Sequence, residues 1–238
     1  MLKNISKNKK ILIIVLIGFF MIMFDQNISL GRINPYPAYK TDSGYNLQFQ
    51  VYSLNYTYGA GCGVDEEGFY TGDVFYQLTF DVIPDVIGFI ILAVFLKKMS
   101  KLSRLFGLSS IMAWIAVAMY GFIHLMPFFF NGMTLSYLTF WTAIAMFGIE
   151  AVVGYVFVCG VCDTLSGYEH KRSRTAVMIS WFSSVVLSAI VCILRWVAAI
   201  GPGLLVSYEI IQLAVHLLLY YFVYRDADYI VKEKQLGR

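Results

Sequence analysis

Charge is scarce in this chain. Of 238 residues only 14% are charged, whereas 59% are hydrophobic and the mean hydropathy is +0.68. Soluble domains run at roughly 25% charged and 45–50% apolar. A surplus this large would leave a greasy surface on a single soluble domain of this length, which excludes that class. Cysteine is equally sparse, and four in a chain this long make no disulfide scaffold. Excess charge of one sign is missing too. The net charge is +3 with the basic residues scattered, so there is no stripe for nucleic acid. The chain has no Gly-rich phosphate loop, no His-Glu-x-x-His, no Gly-x-Ser-x-Gly and no internal repeat, and nothing in it calls for a cofactor or a metal. What remains is an all-α polytopic membrane protein.

Long apolar runs are what the chain does have. A spanning helix needs roughly 20 mostly apolar residues, and six segments approach that: about 11–30, 78–96, 105–126, 137–162, 176–200 and 204–224. The pattern predicts a six-helix transmembrane bundle forming one membrane domain over 1–238. The first run is purely apolar only from Ile11 to Phe24, so its helix is expected to continue past Asp25 to about Leu30. Pro127, Asn131-Gly132 and Gly201-Pro202-Gly203 supply breaks between later spans.

Basic residues set the expected direction. Fifteen of the 18 fall on one side: before the first span, after the second, after the fourth and after the sixth. Arg32 and Lys40 lie in the opposite loops, and Arg195 within a span. Both termini are predicted to be cytoplasmic. The basic start and apolar run resemble a secretory signal, but no small-x-small cleavage site follows Phe24, which favours a retained signal-anchor helix.

The long segment at 31–77 is then extracytoplasmic. From Asp25 to Asp81 the chain carries seven acidic residues against two basic. Tyr45, Leu47, Phe49 and Val51 alternate with polar residues, and the phase flips at Tyr52, Leu54, Tyr56 and Tyr58. That predicts a strand with a bulge near Val51–Tyr52, a turn at Gly59–Gly63 and a returning strand over Phe69–Phe80, together a small aromatic β-hairpin. Its tyrosines read as interfacial anchors or as a binding lid. Asp65-Glu66-Glu67 reads as a solvated acidic turn rather than a metal site.

Ionisable residues inside spans are costly, about 2.5–3.5 kcal/mol at a helix centre, so each needs a reason. Counted from the outer boundaries, Asp25, Asp81, Asp85, His124, Arg195 and Glu209 share one level of the outer leaflet. They suggest an outward-facing acidic pocket, with Arg195 set against Glu209. The plainer alternative is a structural ion pair with snorkelling neighbours. Glu150 and His216 fall near mid-membrane, where a shared hydrogen bond would satisfy both and could carry a proton. A static helix-joining pair is the alternative. Cys159-x-x-Cys162 has redox spacing but no second ligand pair, which favours buried free thiols; Cys62 and Cys192 stand alone. Ala145, Gly148, Ala151 and Gly154 suggest a close helix contact.

Asp81-Val82-Ile83-Pro84-Asp85-Val86-Ile87-Gly88-Phe89, followed by apolar residues and Lys97-Lys98-Met99-Ser100-Lys101-Leu102, resembles a stretch of uncharacterised multi-pass proteins of low-GC Gram-positive bacteria. There an Asp-x-x-Pro-Asp-x-x-Gly-aromatic pattern opens a span. The likeness covers about 25 residues, and the insert at 31–76 is longer than the loop of that group. It implies a bacterial plasma-membrane location and lends no activity.

Three functions compete. The sequence favours a membrane subunit that binds or transports a small polar or cationic solute, with a partner subunit for any energy coupling. A non-catalytic accessory, immunity or sensory protein using its Tyr-rich outer loop is the second. An intramembrane enzyme is the third, with Glu150, His124 and His216 as its acid–base candidates.

Overall fold

A computed structural model describes residues 2–33, 44–49, 60–64, 70–81, 85–129, 132–165, 170–196 and 202–231. In chain order they form α1 (Leu2–Met23), β1 (Phe24–Ile33), β2 (Gly44–Phe49), β3 (Ala60–Val64), β4 (Tyr70–Asp81), α2 (Asp85–Met99), α3 (Arg104–Phe129), α4 (Gly132–Thr164), α5 (Lys171–Trp196), α6 (Pro202–Arg225) and α7 (Ala227–Ile230). Among the described residues, three helical stretches are long and apolar enough to cross a membrane: Arg104–Ile123, Ile144–Thr164 and Lys171–Ile190. A shorter apolar stretch covers Ile210–Arg225.

Side-chain contacts show that successive helices run in opposite directions. Ile22 and Gly18 of α1 meet Gly88 and Ile91 of α2. Ser110 Oγ on α3 donates to the Ala93 carbonyl on α2 at 2.6 Å, and Tyr120 Oη, ten residues on, donates to Asp85, eight residues back. Phe106 stacks on Phe157 and Ser109 Oγ reaches the Val153 carbonyl at 2.9 Å, which joins α3 to α4. Tyr155 lies on Trp181 with ring centroids 5.0 Å apart, and Cys162 Sγ faces the Arg174 carbonyl, which joins α4 to α5. Gln212–Ser188 and Arg225–Ser173 join α5 to α6. The circuit closes where Lys9 of α1 meets Asp228 and Phe19 meets Tyr220 of α6.

Local chemistry explains several helix limits. The Leu105 N–H donates to Ser103 Oγ at 3.3 Å, so Ser103 caps α3. Pro202 opens α6, where a missing N–H costs nothing. Phe157 sits at the core centre, 4.9 Å from Phe19 and 5.9 Å from Phe106 between ring centroids.

The segment between α1 and α2 departs from expectation in three ways. The first helix stops at Met23 instead of running to Leu30, and Phe24–Ile33 is a strand. Asp, Asn, Ser and Gly there are poor helix formers, and pairing on both edges satisfies the strand's backbone. The second helix begins at Asp85, not at 78, because β4 runs to Asp81. The expected hairpin is also replaced. The sheet order is β2-β1-β4-β3, so β2 and β4 flank β1 and are not partners. The expected turn at Gly59–Gly63 contains most of β3, which pairs with β4. Residues 50–59, including the expected bulge, and Asp65-Glu66-Glu67 lie outside the described residues.

Much of the β1 register matches like with like, Gln26 opposite Leu47 excepted. Phe24 faces Phe49, and Ile28 faces Tyr45 on one side and Phe80 on the other. Asn27 is opposite Asn46 and Asp81, and Ser29 opposite Thr79. A slip of one residue would mix the two sets. Since β1 leaves α1 and β4 enters α2, the β1–β4 ribbon continues the antiparallel α1–α2 pair. The sheet touches α4 through β3 and α6 through β2. The end of the helices that carries the sheet is called outer below, and the end at Lys9 and Asp228 inner.

Candidate functional site

Helices α5 and α6 are apolar in outline, yet each buries a regular polar row. On α5, Ser180, Ser184 and Ser188 are buried four residues apart. On α6, Gln212 and His216 are buried and Tyr220, four further on, is half-buried. Residues four apart share one helix face, so two polar faces lie along the antiparallel pair.

Two of these serines bond to their own helix. Ser184 Oγ donates to the Trp181 carbonyl and Ser188 Oγ to the Ser184 carbonyl, both at 2.7 Å. Because the Ser188 proton is used there, its oxygen must accept, and Gln212 Nε2 donates to it at 2.6 Å. That bond fixes the amide orientation and ties α6 to α5. Below it, His216 and Tyr220 meet edge to face with centroids 4.7 Å apart. The half-buried Trp181 has its indole N–H buried without an acceptor among the described residues.

Glu150 on α4 is buried, 4% exposed, as is His216 at 4%. Helix register places them relative to each other. Five residues outward from Tyr155, Glu150 is level with Val186 on α5, since Tyr155 is level with Trp181. The Ser188–Gln212 contact carries that level to α6 between Gln212 and His216. Glu150 therefore stands about one turn or less from each along the helix axes.

The expected outer cluster is distributed over sheet and helices. Asp85 is buried in the first turn of α2, where the helix dipole favours an anion, and accepts a hydrogen bond from Tyr120 Oη. Phe89 packs on the Tyr120 ring at 5.8 Å. Asp25 lies in β1 opposite Gln48, and Asp81 ends β4 opposite Asn27. His124 is in α3, Arg195 in the last turn of α5 and Glu209 in α6. The side chains of these last five lie outside the described residues. From the Ser188–Gln212 register, the Arg195 and Glu209 backbones are offset by about 6 Å along the axis.

Other expectations fare differently. Cys159 and Cys162 are free and half-buried. Among the described residues no group of His, Cys, Asp or Glu is arranged to hold a metal. The small-residue row on α4 is not a close contact at Gly148, which is exposed with nothing within 4 Å of an added Cβ. The tight place on α4 is Gly160, where a Cβ would come 2.8 Å from the Phe106 ring. Sequence reasoning passed over Ser180, Ser184, Ser188, Gln212, Tyr220 and Tyr120. Polar residues spaced by four inside apolar helices were the sign available for the α5 and α6 sets.

No protein-family model, curated protein or solved structure matches the chain.

Proposed function

We propose that the chain is a six-span protein of the bacterial plasma membrane, both termini cytoplasmic, that binds or transports a small polar or cationic solute. The observation that carries this reading is the burial of Glu150 at the axial level of Gln212 and His216. Packing alone rarely calls for a carboxyl group, an imidazole and an amide at one depth of an apolar helix cluster. A carboxylate with an oriented amide suits a cation or an ammonium group, and the acidic outer segment would concentrate one at the mouth. Asp25, Asp81, Asp85, His124, Arg195 and Glu209 form the outward-facing approach in this reading. Three apolar helices of spanning length and the basic bias of the inner loops support the membrane assignment. The resemblance around Asp81–Phe89 supports the bacterial one. Energy coupling would come from a partner subunit.

A second reading has its own support. The four-stranded sheet touches α4 and α6 and carries much of the tyrosine-rich outer segment. A partner protein docking there would make the chain a non-catalytic accessory, immunity or sensory protein.

Thermal shift on detergent-purified protein tests the choice. A panel of monovalent cations, amines and zwitterionic amino acids should contain at least one class that raises the melting temperature. No shift from any member, together with co-purification of a stoichiometric protein, would replace the first reading by the second.

A further inference from the structure

The buried polar groups of α4 and α6 thin out on the inner side, the last of them on α6 being the Tyr220 hydroxyl. Inward of Glu150, every buried residue of α4 is apolar or glycine, with Val153, Phe157 and Val161, and Leu165 just past its end, at 0–2% exposure. Inward of His216, α6 buries Leu219, the Tyr220 hydroxyl and then Val223 before Asp226. The facing side of α1 buries Leu12, Val15 and Leu16, and Phe19 lies between Phe157 and Tyr220. A water-accessible interior would therefore meet an apolar barrier before the inner end.

That barrier is covered by α7. Ala227, Ile230 and Val231 are 0–1% exposed, and α7 touches α1, α4 and α6. Three polar or aromatic ties hold this corner shut. Lys9 Nζ meets Asp228 Oδ1 at 2.9 Å and lies over the Tyr224 ring. His170 stacks on Tyr229 with centroids 4.6 Å apart. Arg225 reaches Ser173 Oγ at 3.0 Å while holding the Asp226 carboxylate at the same distance. Together these join the first helix, the α4–α5 connection and the start of α5 to the last turn of the helical region.

We infer that the apolar layer around Phe157, Val161 and Val223 is a cytoplasmic gate and that α7 is its latch. An apolar constriction blocks ions and water by staying dry, and opens when its walls separate. Here separation means moving α7, with the inner end of α6, away from α1, and Lys9–Asp228 spans the α1–α7 contact. Both partners of that pair are partly exposed, so the tie is readily reversed by water and salt. The inference rests on the reading of the α4–α6 interior as a solute site, and it identifies the conformation as closed to the cytoplasm.

Proton entry into vesicles tests it. The full chain is reconstituted in phosphatidylethanolamine–phosphatidylglycerol vesicles with a trapped pH-sensitive dye, and a potassium diffusion potential drives the flux. Val223→Asn and Val161→Ser wet the layer and should raise proton entry about tenfold over wild type. Val223→Thr is the near-isosteric substitute if the asparagine variant loses its melting transition. Asp228→Lys, a surface change, should raise entry about threefold, and the exchange Lys9→Asp with Asp228→Lys should return it to the wild-type rate. Folded layer variants as tight as wild type would overturn the gate. If no layer variant folds, an unaltered rate in Asp228→Lys overturns it. Leaky variants of a wild type that no panel solute stabilises would retain the gate and remove the solute reading. Tight variants of a wild type that does bind would do the reverse.

Discussion

Two antiparallel helix pairs in this protein are joined by opposite means. Between α1 and α2 the backbones nearly touch: a Cβ on Gly88 would fall 2.6 Å from Ile22 Cγ1 and 2.9 Å from the Gly18 carbonyl oxygen. Between α5 and α6 the join is made by side chains, Gln212 on Ser188 and Arg225 on Ser173. In lipid the tails are as apolar as leucine, so helices associate through close packing or through hydrogen bonds. The first kind of contact leaves no space for another group between the helices. The second can be exchanged for a solute, and a pair held that way is suited to move. In the proposed function, α1–α2 is the frame and α5–α6 the working part.

The largest expected effect breaks the frame. Gly88→Ala should cost about 3 kcal/mol, because the nearest atoms include a backbone carbonyl that cannot rotate away. Melting in detergent reads this, with Gly148→Ala as the neutral or slightly stabilising control in open space. Next comes the α2–α3 join. Tyr120→Phe removes the hydroxyl that donates to the buried Asp85 and should cost about 2 kcal/mol by the same measurement. Tyr120→Phe combined with Asp85→Leu should lose less than the separate costs added together.

The working pair should be softer. In a double-mutant cycle of Gln212→Leu and Ser188→Ala, the coupling should be about 1 kcal/mol, the scale of interhelical hydrogen bonds in membranes. Additive effects would remove the Gln212–Ser188 bond from the account. The smallest effect belongs to the inner latch. The Asp228 carboxylate raises the Lys9 pKa above 10.5, chiefly through their hydrogen bond. A raised folded-state value means that this contribution is complete below about pH 10.5 and is lost as pH rises through the folded pKa. Wild type and Lys9→Met should therefore differ slightly at pH 8 in low salt and converge as the pH rises through the folded-state pKa or in high salt.

Much of the helical frame was legible because an apolar run of 20 residues has few other uses in a short-looped chain. The ends of the first two helices were not. Phe24–Ile33 shows no strict alternation of apolar and polar residues, and its strand character comes from partners at 44–49 and 70–81 that are distant in sequence. Turn composition misled at Gly59–Gly63, where glycine-rich chain pairs with β4 as an edge strand. Within the site, Glu150 and His216 stood out because charge in an apolar run is conspicuous. Ser180, Ser184 and Ser188 did not, since a lone serine in an apolar run barely lowers its hydropathy and can bond to its own helix, as Ser184 and Ser188 do. The position of Asp85 was legible, but its tie to Tyr120 required the α2–α3 register.

Glu150→Gln tests most directly whether the polar interior binds or merely joins helices. The amide preserves size and one acceptor oxygen while removing the titratable charge. The solute that stabilises the wild type should lose its thermal shift, and any uptake into vesicles should fall to background, while the solute-free melting temperature moves by only a few degrees. A variant that keeps the full solute-induced shift would contradict the account and leave Glu150 as part of a static helix contact.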